Sequence, residues 1–435
     1  MSEAEIIGLA GLAGLVLCIA IGVHIYIAAA LIGIVGLIAL LGWEAGAGLA
    51  GTIPHSKSVT YSLSVLPMFI LIGYLALHAG LTAKLFDAAR KWLGFLPGGL
   101  AVASVFSTAG FAAVSGASTA TAAVFSRVAI PEMLSSGYSQ RMATGVVAAG
   151  GTLASLIPPS AILVIYAIIV EQSVGKILVA GFIPGLVSAA IYAGVVMIWA
   201  RMSPTDAPPP APTGGWGVRL RALPGIAPIF AVMVIIFSAI YQGWATPTEA
   251  GALGAFVMLV VAVMNRTPVA RFSDAMMETA RLTAMIFALI WGVLIFVRFL
   301  GFSGLSDLIT GAIVGLPFPP IVIMICILLA YVVLGMFMDA IGMLLLTLPI
   351  VYPAVIALGY DPIWFGIIVV KMAELCLITP PIGLNCFVVA GVRRDIPLAT
   401  IFRGVLPFVV ADVVTVALFL AFPAIITWLP NQMWD

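Results

Sequence analysis

The chain has 435 residues, of which 63% are hydrophobic and 8% charged, with a net charge of +1 at neutral pH. A soluble domain carries about 25% charged residues because its surface faces water, so these figures exclude a water-facing envelope. With no basic run interleaved with aromatics, the chain is not a nucleic-acid binder either.

Taken in order, the elements are mostly apolar stretches long enough to cross a bilayer, which needs about 20 residues. The N-terminal MSEAEIIGLAGLAG has no positively charged n-region, so it reads as a retained first span and not as a cleavable signal. Candidate spans lie near residues 5–22, 24–42, 62–79, 142–169, 177–200, 223–242, 248–264, 277–300, 363–390 and 404–428. Residues 98–130 and 319–357 are also apolar, but small or polar residues interrupt each one: Ser115–Thr119 in the first, Gly335–Asp339 in the second. Each reads as a re-entrant hairpin, which lipid tolerates only where irregular backbone is buried in protein or lines a cavity. The fold class is therefore an all-α polytopic membrane protein.

A Pro-, Gly- and polar-rich sequence beginning MSPTDAPPPAPTGGWG at Met202 divides the chain, giving repeats at 1–201 and 223–435 with a linker at 202–222. Pro131, Gly137, Tyr138, Pro158 and Pro159 recur as Pro353, Gly359, Tyr360, Pro380 and Pro381, all at an offset of 222. The halves are thus a duplication. The arm after the third span carries Lys84, Arg90 and Lys91, whereas its counterpart GLSDLITGAIVGLPF has no Lys or Arg. Positive charge collects in cytoplasmic loops, so the two arms are expected on opposite faces and the repeat is inverted. The same topology puts Arg127, Arg141, Arg201, Arg219, Arg221, Arg266, Arg271, Arg393, Arg394 and Arg403 inside. It puts Lys57, Lys176, the acidic N-terminus and the C-terminal Asp435 outside.

Inverted-repeat transporters place their site at the midplane between discontinuous helices. Two breaks are written here: Gly150-Gly151-Thr152-Leu153-Ala154-Ser155-Leu156-Ile157-Pro158-Pro159-Ser160 and Glu374-Leu375-Cys376-Leu377-Ile378-Thr379-Pro380-Pro381-Ile382-Gly383-Leu384-Asn385. Adjacent prolines remove two donors and clash with carbonyls one turn back. The freed carbonyls, with Ser or Thr hydroxyls, make an oxygen cage suited to a hard cation such as Na⁺. Among charged residues in apolar sequence, Asp339 sits at the second tip, and Lys371 and Glu374 share a helix face and can pair. Arg298, near a span's outer end, is expected to snorkel to the interface. Glu249 follows Thr246 as a helix-start residue. His24, His55 and His78 form no ligand cluster, the four cysteines show no CxxC spacing, and no GxxxxGK[ST] occurs, so zinc, haem and nucleotide chemistry are not expected.

The stretches LPMFILIGYLALHAGLTAKLFDAARKWLGFLPGGLA, SGASTATAA, GGTLASLIPPSAILVIY, GWATPTEAGALGA, GMFMDAIGMLLLTLPI and ITPPIGLN resemble the large membrane subunit of tripartite ATP-independent periplasmic (TRAP) transporters. The resemblance spans nearly the whole chain. It implies an elevator mechanism coupled to Na⁺, a bacterial inner-membrane location, a separate four-helix small membrane subunit, and a periplasmic binding protein that delivers a small organic anion (a carboxylate, sugar acid or sulfonate). By position, it implies metal ligation by Ser115, Ser118, Gly151, Ser155 and Pro158 at one Na⁺ site, and by Gly335, Glu374 and Thr379 at another. The implied substrate neighbours are Ser115, Gly116, Thr119, Ser160, Asp339 and Asn385. The chain departs from the family pattern at His24, where many relatives have proline, and at Ala117, where Ser is usual. The rival reading is a stand-alone ion-coupled organic-anion carrier of similar fold. A channel lacks the polar stripe it would need, and no catalytic constellation supports an enzyme.

Overall fold

The structure is a computed structural model that describes residues 2–210, 215–336 and 338–433. Part of the linker (211–214), Phe337 in the second tip and Asp435 lie outside the described residues.

The chain is nearly all helix, because lipid offers backbone N–H and C=O groups no water and each segment must bond its own. In the first half α1 (Glu3–Ala20), α2 (Ile25–Leu41) and α3 (Trp43–Ser58) lead into α4 (Val65–His78) and the arm α5 (Leu81–Leu93). α6 (Gly99–Ser115) and α7 (Ser118–Ser135) meet at Gly116–Ala117. α8 (Gln140–Thr152) runs into a 3-10 turn (Leu153–Ser155), and α9 (Ala161–Ile169) and α10 (Val174–Met202) follow. The second half comprises α11 (Trp216–Tyr241), α12 (Pro247–Met264), α13 (Val269–Ser303), the short arm α14 (Leu305–Val314), α15 (Pro320–Gly335), α16 (Ala340–Ala357), α17 (Pro362–Ile378), α18 (Leu384–Val392) and α19 (Leu398–Ala421). Among the described residues, eight helices are long and apolar enough to cross a membrane.

Some bounds differ from those read in the sequence. α13 has 35 residues, about 52 Å of helix at 1.5 Å per residue, where a span at 277–300 was expected. Its polar first turns (VARFSDAMMETARL) continue the helix beyond the apolar zone. α3 was not foreseen, because WEAGAGLAGTIPHSKS is too weakly apolar to register as a span. α19 ends at Ala421, before Phe422-Pro423, and a separate short turn of helix at Ala424–Thr427 takes up the rest of the expected 404–428 span. At α12, the Thr246 hydroxyl accepts from the Glu249 N–H and the Glu249 carboxylate accepts from the Thr246 N–H, with Pro247 at the first helical position. Glu249 is thus the helix-start residue the sequence suggested.

The helices form two packing groups. α2, α3, α4, α11, α12 and α13 pack on one another, and α6 to α10 pack with α15 to α19. Without a hydrophobic drive between lipid-embedded helices, close approach of small residues holds such packing together. A Cβ on Gly33 of α2 would lie 2.8 Å from the Phe296 backbone nitrogen of α13. A Cβ on Gly404 of α19 would lie 3.1 Å from Gly145 Cα of α8. α4, α5 and α11 touch α6, and α13 touches α16, so the two hairpins lie along the boundary between the groups.

Candidate functional site

At the first break, residues 151–160 are all buried. The backbone of the α6–α7 tip presses directly on it. A Cβ on Gly151 would lie 2.9 Å from the Ser118 carbonyl oxygen, and one on Gly116 would lie 2.8 Å from the Pro159 carbonyl oxygen. Gly116 also holds a left-handed φ of 58°, so glycine is required there twice over. The Ser118 and Ser155 hydroxyls share a hydrogen bond of 2.7 Å across the contact. The Ser160 hydroxyl donates to the Ser155 carbonyl at 2.5 Å and accepts from the Leu163 N–H at the start of α9. The Ser115 hydroxyl bonds Thr121 at 2.9 Å, and Thr119 is half-buried beside it. A cavity of about 20 Å³ lies against this tip, between Ser115, Ala117, Tyr74 and Leu282.

The second break is built differently. Gly335 is buried against the Cys376 side chain of α17. The half-buried Thr379 turns its hydroxyl back to the Leu375 carbonyl at 2.6 Å. Pro380, Pro381 and Ile382 are exposed, and Gly383 takes a left-handed φ of 56° to start α18. Asp339 is exposed and caps α16, accepting from the Gly342 N–H at 3.1 Å. The Pro158–Pro159 and Pro380–Pro381 bonds are both cis.

Buried polar groups tie the two breaks together. Fully buried Asn385 donates to the Ala148 carbonyl of α8 at 3.1 Å, while its Oδ1 has no partner among the described residues. The Lys371 ammonium lies 3.4 Å from Glu374 and 2.7 Å from Asp412 of α19, and all three are fully buried. The Tyr192 hydroxyl of α10 donates to Asp412 at 2.7 Å and meets the Thr152 hydroxyl, at the end of α8, at 3.2 Å. Glu374 also faces Ser155. The Lys371–Glu374 pair read from helical spacing is therefore part of a three-charge cluster. Asp412 was missed, although a lone acid in LPFVVADVVTVALF is the kind of intramembrane charge that marks a functional or paired group. Among the described residues, Glu374 Oε1 and Asp412 Oδ2 have no hydrogen-bond partner.

The family described as "Tripartite ATP-independent periplasmic transporter, DctM component" matches residues 12–425. The chain belongs to this family. It is thus the large membrane component of a TRAP transporter, as its motifs suggested, and a multi-pass transport protein. Among its relatives, the C4-dicarboxylate TRAP transporter large permease protein DctM of Pseudomonas aeruginosa is 36% identical over 376 residues, covering 86% of this chain and 87% of that one. The sialic acid TRAP transporter large permease protein SiaM of Vibrio cholerae is 30% identical, covering 85% and 86%. The isethionate TRAP transporter permease protein DctMQ of Oleidesulfovibrio alaskensis is 31% identical, and the match covers 57% of its length. Among solved structures, the YdaH transporter of Alcanivorax borkumensis aligns over 88% of this chain and 90% of its own, with a TM-score of 0.59 at 16% identity. That likeness concerns fold alone.

Proposed function

We propose that this DctM-family chain is the substrate-moving subunit of a Na⁺-coupled importer for a small organic anion. A periplasmic binding protein delivers the anion, and a separate four-helix small subunit completes the membrane complex. The observation that carries this reading is the seating of the first hairpin against its own proline break, where the Ser118, Ser155 and Ser160 hydroxyls gather beside the Pro159 carbonyl. The oxygen-rich surroundings of that first joint suit a hard monovalent cation. One Na⁺ is assigned to Ser115, Ser118, Gly151, Ser155 and Pro158, and another to Gly335, Glu374 and Thr379. Glu374 reaches toward Ser155, so its carboxylate stands between the two groups of ligands. The substrate is assigned to the region between the tips, near Ser115, Gly116, Thr119, Asp339, Ser160 and Asn385. The first-tip cavity of about 20 Å³ cannot admit an organic acid, so the hairpin must part from α4 and α13 to take one up.

The two halves are read as inverted repeats (1–201 and 223–435) joined by a cytoplasmic linker at 202–222, with both termini periplasmic in the bacterial inner membrane. α15 and α16 together are read as entering and returning. The hairpin-and-break group then slides as an elevator against the group built on α2, α4 and α13. The relatives named for C4-dicarboxylates, sialic acid and isethionate share one chemistry, a small anion with carboxylate or sulfonate oxygens, and that is the substrate class proposed here.

The deciding experiment is uptake into proteoliposomes holding this chain, its small subunit and the binding protein, with labelled succinate, sialic acid and isethionate supplied in turn. At fixed pH and membrane potential, uptake is expected to follow the Na⁺ gradient and to vanish without the binding protein. Uptake indifferent to Na⁺ would remove the ion role of the breaks. Uptake without the binding protein would make the chain a stand-alone carrier.

A further inference from the structure

A second polar cavity lies away from both breaks. It holds about 450 Å³, and Ser56, Lys57, Ile168, Glu171, Arg298 and Phe302 are among the residues that line it. α3 and the C-terminal end of α13 form one wall, and the end of α9 with its following turn forms the other. The cleft therefore opens at the boundary between the two packing groups. Ser160 caps the start of α9, and the nine residues of that helix place the cleft about 14 Å along it from Ser160.

The charges here are not used in holding the fold together. Among the described residues, Lys57, Arg298 and Glu171 form no ion pair with one another or with any other residue, whereas Asp87, Arg90, Lys91 and Glu132 on the basic arm and its neighbour are all paired. Glu171 takes a left-handed φ of 56°, a conformation rare outside glycine that tends to persist at functional sites. Two cations and one acid leave the cleft with a surplus of one positive charge. Half-apolar walls of low dielectric focus such a field and raise the local concentration of an anion. The volume lies within the roughly 300–1,000 Å³ of small-molecule sites.

We propose that Lys57 and Arg298 form an anion-capture site, which a carboxylate or sulfonate occupies at the outer mouth of the boundary before it reaches the hairpin tips. This rests on the reading of the chain as an organic-anion importer. Glu171 limits the surplus to a single charge, so an arriving monoanion is held and then let go; a conduction path needs sites weak enough to leave. Arg298, expected from sequence to snorkel, is exposed at the rim of this cleft. Its guanidinium is suited to bidentate contact with a carboxylate.

The test reads the local potential without relying on transport. Ser56→Cys places a reporter thiol in the cleft, in a chain whose accessible Cys18 and Cys326 are replaced by alanine. The rates of modification by an anionic sulfonatoethyl and a cationic trimethylammonioethyl methanethiosulfonate are compared at low ionic strength, each relative to a free thiol. The anionic reagent is expected to be favoured. Arg298→Gln and Lys57→Gln should each lower that preference about threefold or more, Arg298→Lys should retain it, and added salt should erode it over the Debye range of about 10 Å at 0.1 M. A preference unchanged by both Gln substitutions overturns the site. In the uptake assay, the same two substitutions should raise the KM of the transported anion about threefold at unchanged maximal rate. An unchanged KM alongside a shifted labelling preference overturns the way-station role. If wild-type complex imports no organic anion at all, the importer reading fails, and the labelling preference still decides whether the cleft binds anions.

Discussion

The two proline breaks carry the same motif at matched places in the two halves, yet they sit in different surroundings. Every residue from Gly151 to Ser160 is buried, and the first tip contacts it backbone to backbone. At the second break, Pro380, Pro381 and Ile382 are exposed, Thr379 bonds only within its own helix, and the exposed Asp339 caps its own helix. Proline has no N–H to leave unsatisfied, so Pro380 and Pro381 can face outward without orphan donors, and only their carbonyls and the Ile382 N–H still need a partner. One motif thus serves as a packed joint in the first half and as an open one in the second.

The largest effect is expected where the two breaks are tied together. Lys371 compensates two fully buried carboxylates, and Asp412 passes the link through Tyr192 to Thr152 at the first break. Lys371→Met leaves both carboxylates uncompensated, and breaking a buried ion pair costs about 3–5 kcal/mol. The thermal midpoint of the purified protein in detergent should fall sharply. Adding Glu374→Gln and Asp412→Asn should recover much of that loss, since a neutral cluster removes the uncompensated charge. A midpoint unmoved by Lys371→Met would mean that the cluster does not hold the breaks together.

Next comes the packed joint itself. In Gly151→Ala the new methyl would lie 2.9 Å from the Ser118 carbonyl oxygen of the first tip, whereas in Gly335→Ala it would lie 2.6 Å from the Cys376 Cβ, which its backbone fixes. Overpacking of this kind costs about 1–3 kcal/mol. The alanine at Gly335 should therefore destabilise the protein at least as much, whereas the one at Gly151 should cost more uptake for a given loss of stability, because it pushes the first tip off its break. An uptake loss at Gly151→Ala no greater than at Gly335→Ala, for a matched loss of stability, would remove the distinction drawn between the two joints.

A smaller effect is expected at the open tip. Asp339→Ala removes the cap that accepts from Gly342, worth about 0.5–2 kcal/mol, whereas Asp339→Asn keeps a capping oxygen and loses only charge. If Asp339 acts only as a cap, Asn should restore wild-type uptake. If it faces the anion, Asn should change the apparent KM while stability stays near wild type.

The membrane class and the positions of both breaks were legible because they rest on gross composition and on proline, whose local effect no packing overrides. Asp412 was not legible as a partner of Lys371, since helical spacing relates residues three and four apart but says nothing of a residue 41 positions on. α3 was missed because its glycines and polar residues dilute hydropathy, although buried Gly46, Ala50 and Ile53 pack it in place. The difference between the breaks could not be read either. Ser155 and Thr379 are both hydroxyls within three residues of a Pro-Pro pair, and only the fold decides that one bonds across to another helix while the other bonds within its own.

That pair supplies the finest test of the comparison. Ser155→Ala removes a hydroxyl whose hydrogen bond crosses to Ser118 of the hairpin tip and leaves that partner buried and unpaired. A net hydrogen bond is worth about 1 kcal/mol, and a stranded buried partner adds to the cost, so both stability and the Na⁺ concentration for half-maximal uptake should worsen. Thr379→Ala removes a hydroxyl bonded only to the Leu375 carbonyl, one turn back in its own helix, and so breaks no contact between helices. Stability should barely move there, and a proposed ion ligand is still lost, so the Na⁺ requirement should rise about threefold to tenfold while the unfolding midpoint stays near wild type. A Thr379→Ala protein that loses stability and keeps its Na⁺ requirement would reverse the assignment. The second break would then be a structural kink, and ion coupling would have to reside in the buried joint alone.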